Sequence, residues 1–270
     1  MISILILTKN EQQDLPSCLA SIAWSDDVHV YDSFSTDRTL EIAQAAGATV
    51  TQRAFDNWSA HQNWGLANIP FKHPWVLYID ADERVSEGLK NAAIQAAKVG
   101  ATESAFRIQR RDFYLDGTWL KHAQISPYYL RLFRPTKMRY ERLVNPVSIV
   151  DGPISDLQGY LDHYPFSKGI RFWLERHIKY AELEAKTILE NQKKNHSFSF
   201  RKALTSNDFT EKRFHQKELF YRIPGRPLIK FFYMMLVRRA FLDGRAGFTY
   251  ATLQSIYEYF IVLEQETLRK

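Results

Sequence analysis

WVLYIDADERV, residues 75–85, sets a run of residues suited to the middle of a sheet directly against three carboxylates. Residues 75–79 are apolar or aromatic, Val85 closes the stretch, and Asp80, Asp82 and Glu83 lie between. A continuous apolar run of this length fits a strand covered on both faces, as in parallel sheets. The carboxylates then form either a solvated strand end or a seat for something positively charged. The flanking sequence has to decide between the two.

Working outward, the first half alternates strand and helix patterns. ISILIL (2–7) is a second apolar run, and NEQQDLPSCLASIA (10–23) can form a helix. DVHVYDS (27–33) is a strand with a polar end. STDRTLEIAQAAGA (35–48) is a helix with Ser35 or Thr36 as its N-cap and Gly47 at its C-cap. ATVTQ (48–52) is a third strand, WSAHQNWGLAN (58–68) a helix, and SEGLKNAAIQAAK (86–98) a helix capped by Ser86. This order implies an α/β fold with a mostly parallel sheet flanked by helices. Beyond Gly100, SAFRIQRRDFYLDGTWLK, YYLRLFRP and MRYERLV are rich in aromatics and Arg, with LDGT as a turn. They suggest a mixed or antiparallel extension of the sheet. From about residue 170 the chain turns helical. Residues 171–192 form an amphipathic helix, 193–216 are polar, basic and expected to be mobile, and 250–266 are a final helix. Two domains are expected, 1–165 and 166–270.

The 270 residues include 45% hydrophobic and 24% charged, so a sizeable core can form. One cysteine, Cys18, excludes an internal disulfide framework and fits a reducing compartment. MISILILTKNE lacks a basic n-region and a small-residue cleavage site, so it reads as a first strand and not a signal peptide. No apolar run reaches the ~20 residues of a membrane span. A cytoplasmic protein is expected. From Tyr164 onward there are 20 Lys and Arg against 11 Asp and Glu, which leaves the first part net acidic within an overall charge of +6. A basic C-terminal part suits an anionic partner or simply a solvated helical surface. The pI near 9.2 also raises nucleic-acid binding. No recognised binding motif supports that, and an acidic rim repels phosphates, so no nucleic-acid partner is expected.

Ligands of open parallel sheets bind beyond the carboxyl ends of the strands. That rule gathers Thr8, Asn10 and Glu11 after the first strand, Asp32 after the second, and Asp80, Asp82 and Glu83 after the fourth. Neither a phosphate-binding P-loop nor the dinucleotide glycine fingerprint is present. A nucleotide at this acidic rim would therefore need a bridging hard cation such as Mg²⁺ or Mn²⁺. The spacing of Asp80 and Asp82 suits this, because alternate residues of an extended segment can point the same way. A D-x-D alone is weak, since acidic turns at strand ends are common.

SILILTKNE, DSFSTDRT and WVLYIDADE, in this order and spacing, resemble the family-two nucleotide-sugar glycosyltransferases of GT-A fold. AFRIQRRDFYLDGTWLK, YYLRLFRP and FLDGRAGFTYA look like a bacterial subgroup that builds lipopolysaccharide core and other envelope polysaccharides. The resemblance implies inverting transfer from a nucleotide diphosphate sugar, UDP by family habit, to a glycan or lipid-linked glycan hydroxyl, with a divalent metal. Thr8, Asn10 and Glu11 match the loop lining the nucleobase and ribose. Asp32 matches the residue contacting the base, with Asp37 in the same segment. Asp80 matches the residue near ribose and sugar, and Asp82 the metal ligand. Gln62 and Asn63 match an Arg-Asn pair facing the donor, with Gln62 replacing the usual Arg. His163 in GYLDHY matches a histidine that completes the metal shell, or is a histidine hydrogen-bonded beneath the catalytic face.

The base is harder to place. Relatives often read V-H-E where this chain has Val144, Asn145 and Pro146. Glu141, Asp112 and Asp151 remain as candidates, each also readable as a surface carboxylate paired with a basic neighbour. The missing glutamate also allows an inactive nucleotide-sugar binder that scaffolds polysaccharide assembly. Finally, PLIKFFYMMLV with Arg226, Lys230, Arg238 and Arg239 at its borders suits either a helix in an anionic membrane interface or a core helix. The first option predicts a peripheral protein on the cytoplasmic face of the inner membrane.

Overall fold

A computed structural model describes every residue of the chain except 99, 142–146, 194–197, 207 and 270. The Val144–Asn145–Pro146 departure lies outside the described residues. The chain divides into two compact units: Met1–Gly117 with Ile125–Ser167, and Thr118–Gln124 with Lys168–Lys270.

The first unit is built on an eight-stranded sheet. In chain order its strands are β1 (Ser3–Thr8), β2 (Val28–Asp32), β3 (Thr49–Gln52), β4 (Val76–Asp80), β5 (Glu83–Val85), β6 (Ala105–Asp112), β7 (Tyr128–Phe133) and β10 (Ile154–His163). A separate two-stranded sheet holds β8 (Met138–Glu141) and β9 (Val147–Val150). The large sheet runs β3-β2-β1-β4-β7-β6-β10-β5. The first four strands are mutually parallel, β7 is antiparallel to both neighbours, β10 is parallel to β6, and β5 is antiparallel to β10. The apolar runs at β1 and β4 occupy its centre, with Ile4, Ile6, Val76, Leu77 and Ile79 wholly buried. Helices α1 (Leu15–Ser21), α2 (Thr39–Ala45), α3 (Trp58–Asn68) and α4 (Glu87–Ala96) connect them. Ser86 caps α4 as expected, accepting from the Leu89 N–H. At α2 the expectation fails: Arg38 is the N-cap and makes no capping bond with its side chain, while the Asp37 carboxylate takes the Thr39 N–H at 3.0 Å.

One irregularity positions the rim. The β6–β10 register slips between Leu157 and Tyr160. Continued without it, the pairing of Ile154–Leu157 would set Leu161 opposite Asp112; with it, His163 stands there. Gly159 sits in this bulge at φ +97, and a Cβ there would lie 2.5 Å from the Leu89 backbone nitrogen. A glycine is required both by the backbone angle and by the close approach.

The second unit is helical: α5 (Gly169–Lys193), α6 (Phe200–Thr205), α7 (Phe209–Arg222), α8 (Arg226–Phe232) and α9 (Gly244–Arg269). The stretch expected to be mobile thus carries two helices, α6 and α7. Ser199 caps α6, and Gln216 reaches the Ala203 carbonyl, so local bonds offset the weak hydrophobic pattern. Ala181, Ala185, Ile188 and Ile261 form a core between α5 and α9. Thr118–Gln124 belongs to this unit, tied by Asp243, which accepts from the His122 and Ala123 N–H groups and pairs with His122 Nδ1 at 2.6 Å.

His177 of α5 stacks on Trp173 with ring centroids 3.4 Å apart and meets Tyr257 edge-on. Burial pushes its pKa down to about 4, from 6.5. The folded pKa is depressed, so the neutral ring stabilises this unit above pH 6.5 and the contribution is lost as pH falls towards 4. We expect a loss on the order of 1–2 kcal/mol by pH ~5, after discounting for partial exposure. Thermal melts of wild type and His177→Phe at neutral and acid pH check this. An equal acid-induced loss in the variant would assign the effect elsewhere.

Candidate active site

Strand direction gathers the polar residues. β1, β2, β4, β6 and β10 end on the same edge of the sheet, at Thr8, Asp32, Asp80, Asp112 and His163, and the antiparallel β5 begins there with Glu83. All lie within the first unit.

Two loops are knitted together beside β1 and β2. Asp32 is fully buried, and its carboxylate accepts from Thr8 Oγ1 at 3.0 Å, Ser35 Oγ, the Ser35 N–H at 2.8 Å and Gln52 Nε2 at 3.1 Å. Burial alone would raise its pKa, but these donors outweigh it and hold the group below the usual carboxylate range. With four bonds accepted, its acceptor positions are filled by the protein. Asp32 therefore braces the loop at the position expected to contact the base. Asn10 Oδ1 accepts from the Thr36 N–H, Ser35 Oγ accepts from the Asn10 N–H, and Thr39 Oγ1 accepts from the Glu11 N–H, each at 2.8 Å. Asp37 Oδ2 takes the Gln12 N–H at 3.2 Å. Asn10 and Phe34 both have left-handed backbone, φ 56 and 59. A bulky residue rarely takes that conformation. Lys9 Nζ secures the Phe34 turn by donating to the carbonyls of Ser33 and Phe34. The outcome is a rigid lip, with the Phe34 ring exposed upon it.

The second cluster answers the question raised by residues 75–85. Glu83 is not a solvated strand end: it is wholly buried. Its Oε2 accepts the Asp80 N–H at 2.9 Å and its Oε1 the Arg131 guanidinium at 2.8 Å. The same Arg131 nitrogen donates to Asp80 Oδ2 at 2.8 Å, and Tyr78 OH donates to Asp80 Oδ1 at 2.8 Å. Arg131 lies over the Tyr78 ring, 4.5 Å from its centre. Burial pushes the Glu83 carboxyl up to about 7 against the pull of Arg131. Asp82 occupies the turn between β4 and β5, its carbonyl accepting the Tyr164 N–H and its Oδ2 standing 3.3 Å from His163 Nε2. His163 Nδ1 bonds Asp112 Oδ1 at 2.7 Å, and Asp112 also pairs with Arg110. Burial disfavours the cationic ring, yet Asp112 and Asp82 hold it up at about 9.

The remaining expected residues are spread more widely. Gln62 Nε2 reaches Tyr78 OH at 3.5 Å, while its buried Oε1 has no partner. Asn63 spends its amide on the Tyr140 main chain, donating to the carbonyl and accepting from the N–H at 2.8 Å each. It clamps α3 to β8. Asp112 is buried and pairs with His163 and Arg110. Glu141 and Asp151 sit at the two-stranded sheet, exposed and paired with Arg139 and Lys137. Sequence reasoning missed Arg131, although a cation alternating with leucines in YYLRLFRP is the kind of signal that marks a buried charge.

Could these residues hold a divalent cation? Among the described residues, no three His, Cys, Asp or Glu side chains close a cage. Mg²⁺ needs none, since it commonly takes one or two carboxylates and completes its shell with water and substrate phosphates. Asp82 and His163 supply such a partial set. Asp112 fixes the ring so that Nε2 is turned towards Asp82, the carboxylate–histidine arrangement found behind metal ligands. The donor set fits.

The first unit thus sets its carboxylates and a backed histidine at the strand ends of a mostly parallel α/β sheet flanked by helices. The model of glycosyl transferase family 2 matches residues 3–153, more than half of the chain, and the chain belongs to that family. An uncharacterized glycosyltransferase of Rickettsia bellii is 34% identical over 115 residues, 42% of this chain and 35% of that protein. One from Rickettsia typhi is 35% identical over 91 residues, 33% and 30% of the two chains. The matched stretch thus spans about a third of the length of these relatives. The lipopolysaccharide core biosynthesis glycosyltransferase LpsC of Rhizobium meliloti is 25% identical over 201 residues, 72% of this chain and 73% of that protein. Among solved structures, glucosyl-3-phosphoglycerate synthase from Mycobacterium tuberculosis with Mn²⁺, UDP and glucosyl-3-phosphoglycerate aligns at TM-score 0.36 and 22% identity, covering 41% and 44% of the chains. Among the described residues no helix is long and apolar enough to cross a membrane.

Proposed function

We propose that this protein transfers a sugar, with inversion, from a nucleoside diphosphate sugar, UDP first among them, to a hydroxyl of a lipopolysaccharide core or related envelope glycan. The observation that carries the reading is the convergence of Asp80, Asp82 and the Asp112-backed His163 on one strand-end rim. The likeness to LpsC supports the acceptor class. Such an acceptor is built on lipid, and in this reading the enzyme works peripherally on the cytoplasmic face of the inner membrane.

In this reading Asp82 and His163 Nε2 hold the diphosphate side of the donor, and Asp80, immobilised by Tyr78 and Arg131, orients the ribose and sugar. A divalent cation, Mn²⁺ or Mg²⁺, bound there offsets the charge that develops on the leaving diphosphate. The Asn10–Glu11 and Phe34 lip receives the nucleoside, and the unpartnered Gln62 Oε1 offers an acceptor near it. The acceptor oxygen attacks the anomeric carbon, the glycosidic C–O electrons leave with the diphosphate, and the hydroxyl proton passes to a carboxylate. Glu141 and Asp151 are the two exposed carboxylates left for that task.

The test is calorimetric titration of UDP, GDP, ADP and TDP with and without Mn²⁺. One nucleotide should bind, and only with the metal. Absence of binding under every condition would refute the reading. Binding without any turnover of the matching nucleotide sugar would favour the inactive scaffold.

A further inference from the structure

The second unit presents an apolar face that a core helix would not leave bare. Helix α8 and the π-helical turn after it (Tyr233–Val237) form one helical rod. Its inward side is fixed: Arg226 is buried, pairs with Glu258 at 2.8 Å and donates to Gln265, and Met234 is buried. Leu228, Ile229, Phe232, Tyr233, Leu236 and Val237, which recur every four residues on the other side, are exposed. Leu228, Leu236 and Val237 keep 64%, 67% and 68% of their surface accessible. Phe241, Leu242 and Phe248 extend the exposed apolar surface along the chain. The usual amphipathic pattern is inverted, since the large apolar side chains point outward.

The charges around this face select its partner. Between Glu218 and Glu258 the chain holds six Lys and Arg but a single acid, Asp243. That acid is buried and occupied by His122. Arg226 is consumed by Glu258 and Arg238 donates to the His122 carbonyl at 3.3 Å, which leaves Arg239 and Arg245 exposed and Lys230 half-buried beside the apolar residues. A self-complementary dimer face or a neutral hydrophobic groove gives no reason to exclude every exposed acid from such a stretch. An anionic bilayer does: apolar side chains enter the acyl boundary while cations meet the headgroups.

We propose that this face, from Leu228 to Phe248, docks the protein on a bilayer of anionic lipid. The proposal rests on the membrane-side reading above and adds to it the face and the lipid chemistry. The closing experiment uses no nucleotide, so its failure and that of the donor reading are separable.

Co-sedimentation of the full chain with vesicles of phosphatidylcholine, with and without phosphatidylglycerol, gives the measurement. Wild type should bind the anionic vesicles and not the neutral ones. Each basic residue at an anionic surface contributes about a fivefold factor. Arg239→Glu with Arg245→Glu should therefore weaken binding by about 30-fold or more. Leu236→Asp with Val237→Asp, both at exposed positions, should abolish binding without lowering the melting temperature. Equal binding to both vesicle types would overturn the proposal. So would no vesicle binding by wild type, including the case where it dimerises and the Asp pair restores a monomer, because a second copy would then cover the face.

Discussion

Asp82→Ala is expected to remove the metal-dependent part of nucleotide diphosphate binding, about 100-fold or more in affinity, and to leave the fold standing. The side chain is partly exposed and lies in the turn between β4 and β5. Its carbonyl, which accepts the Tyr164 N–H, survives the substitution, while the carboxylate's pairing with His163 is lost. His163→Ala removes the other protein donor. Asp112→Asn is the informative third variant, because Asp112 bonds His163 and would act on a metal only through that ring. A group that orients a ligand typically costs 10–100-fold when changed, so this variant should fall between wild type and Asp82→Ala. Calorimetry with Mn²⁺ on the three variants reads the order directly. Unchanged affinity in Asp82→Ala would remove this carboxylate from the donor site. An Asp112→Asn variant as weak as His163→Ala would mean that the ring needs its backing carboxylate as much as its own nitrogen.

Which parts of this arrangement could be read from the chain alone is a matter of physical range. β1 and β4 were legible because strands covered on both faces must be apolar throughout, and α4 because Ser86 announces its cap locally. The strand-end rim followed from topology, and with it Thr8, Asp32, Asp80 and Asp82. Contacts that depend on distant pairing were not legible. His163 faces Asp112 only because two residues bulge out of β10; Gly159, at the head of GYLDHY, marks that bulge, but the register against β6 is set by a strand about 50 residues away. Asp32 and Asn63 were read as ligand contacts, but polar side chains at a strand end or on a helix also serve the protein's own backbone and loops. Asn63 closes on Tyr140, 77 residues away. The helices at 200–205 and 209–222 were missed because their polar sequence forms caps and inter-helix bonds in place of a clear apolar stripe.

Arg131→Met is expected to damage stability and transfer together, and a second substitution should separate the two. The guanidinium is buried between Asp80 and Glu83, and removing it leaves the wholly buried Glu83 carboxylate with only the more distant Arg110, 3.9 Å away. Breaking a buried pair in this way costs about 3–5 kcal/mol. For a unit of this size that corresponds to a drop of roughly 10 °C in melting temperature. Glu83→Gln added to Arg131→Met takes away the stranded charge, and the amide oxygen can still accept the Asp80 N–H. Most of the lost stability should return. Transfer should not, because Asp80 Oδ2 has still lost its donor and only Tyr78 OH holds the carboxylate in place. Thermal melts and initial transfer rates on the two single variants and the double variant complete the cycle. Full recovery of both quantities in the double variant would make Arg131 a counter-charge for Glu83 alone. Recovery of stability without rate would make it the residue that positions Asp80.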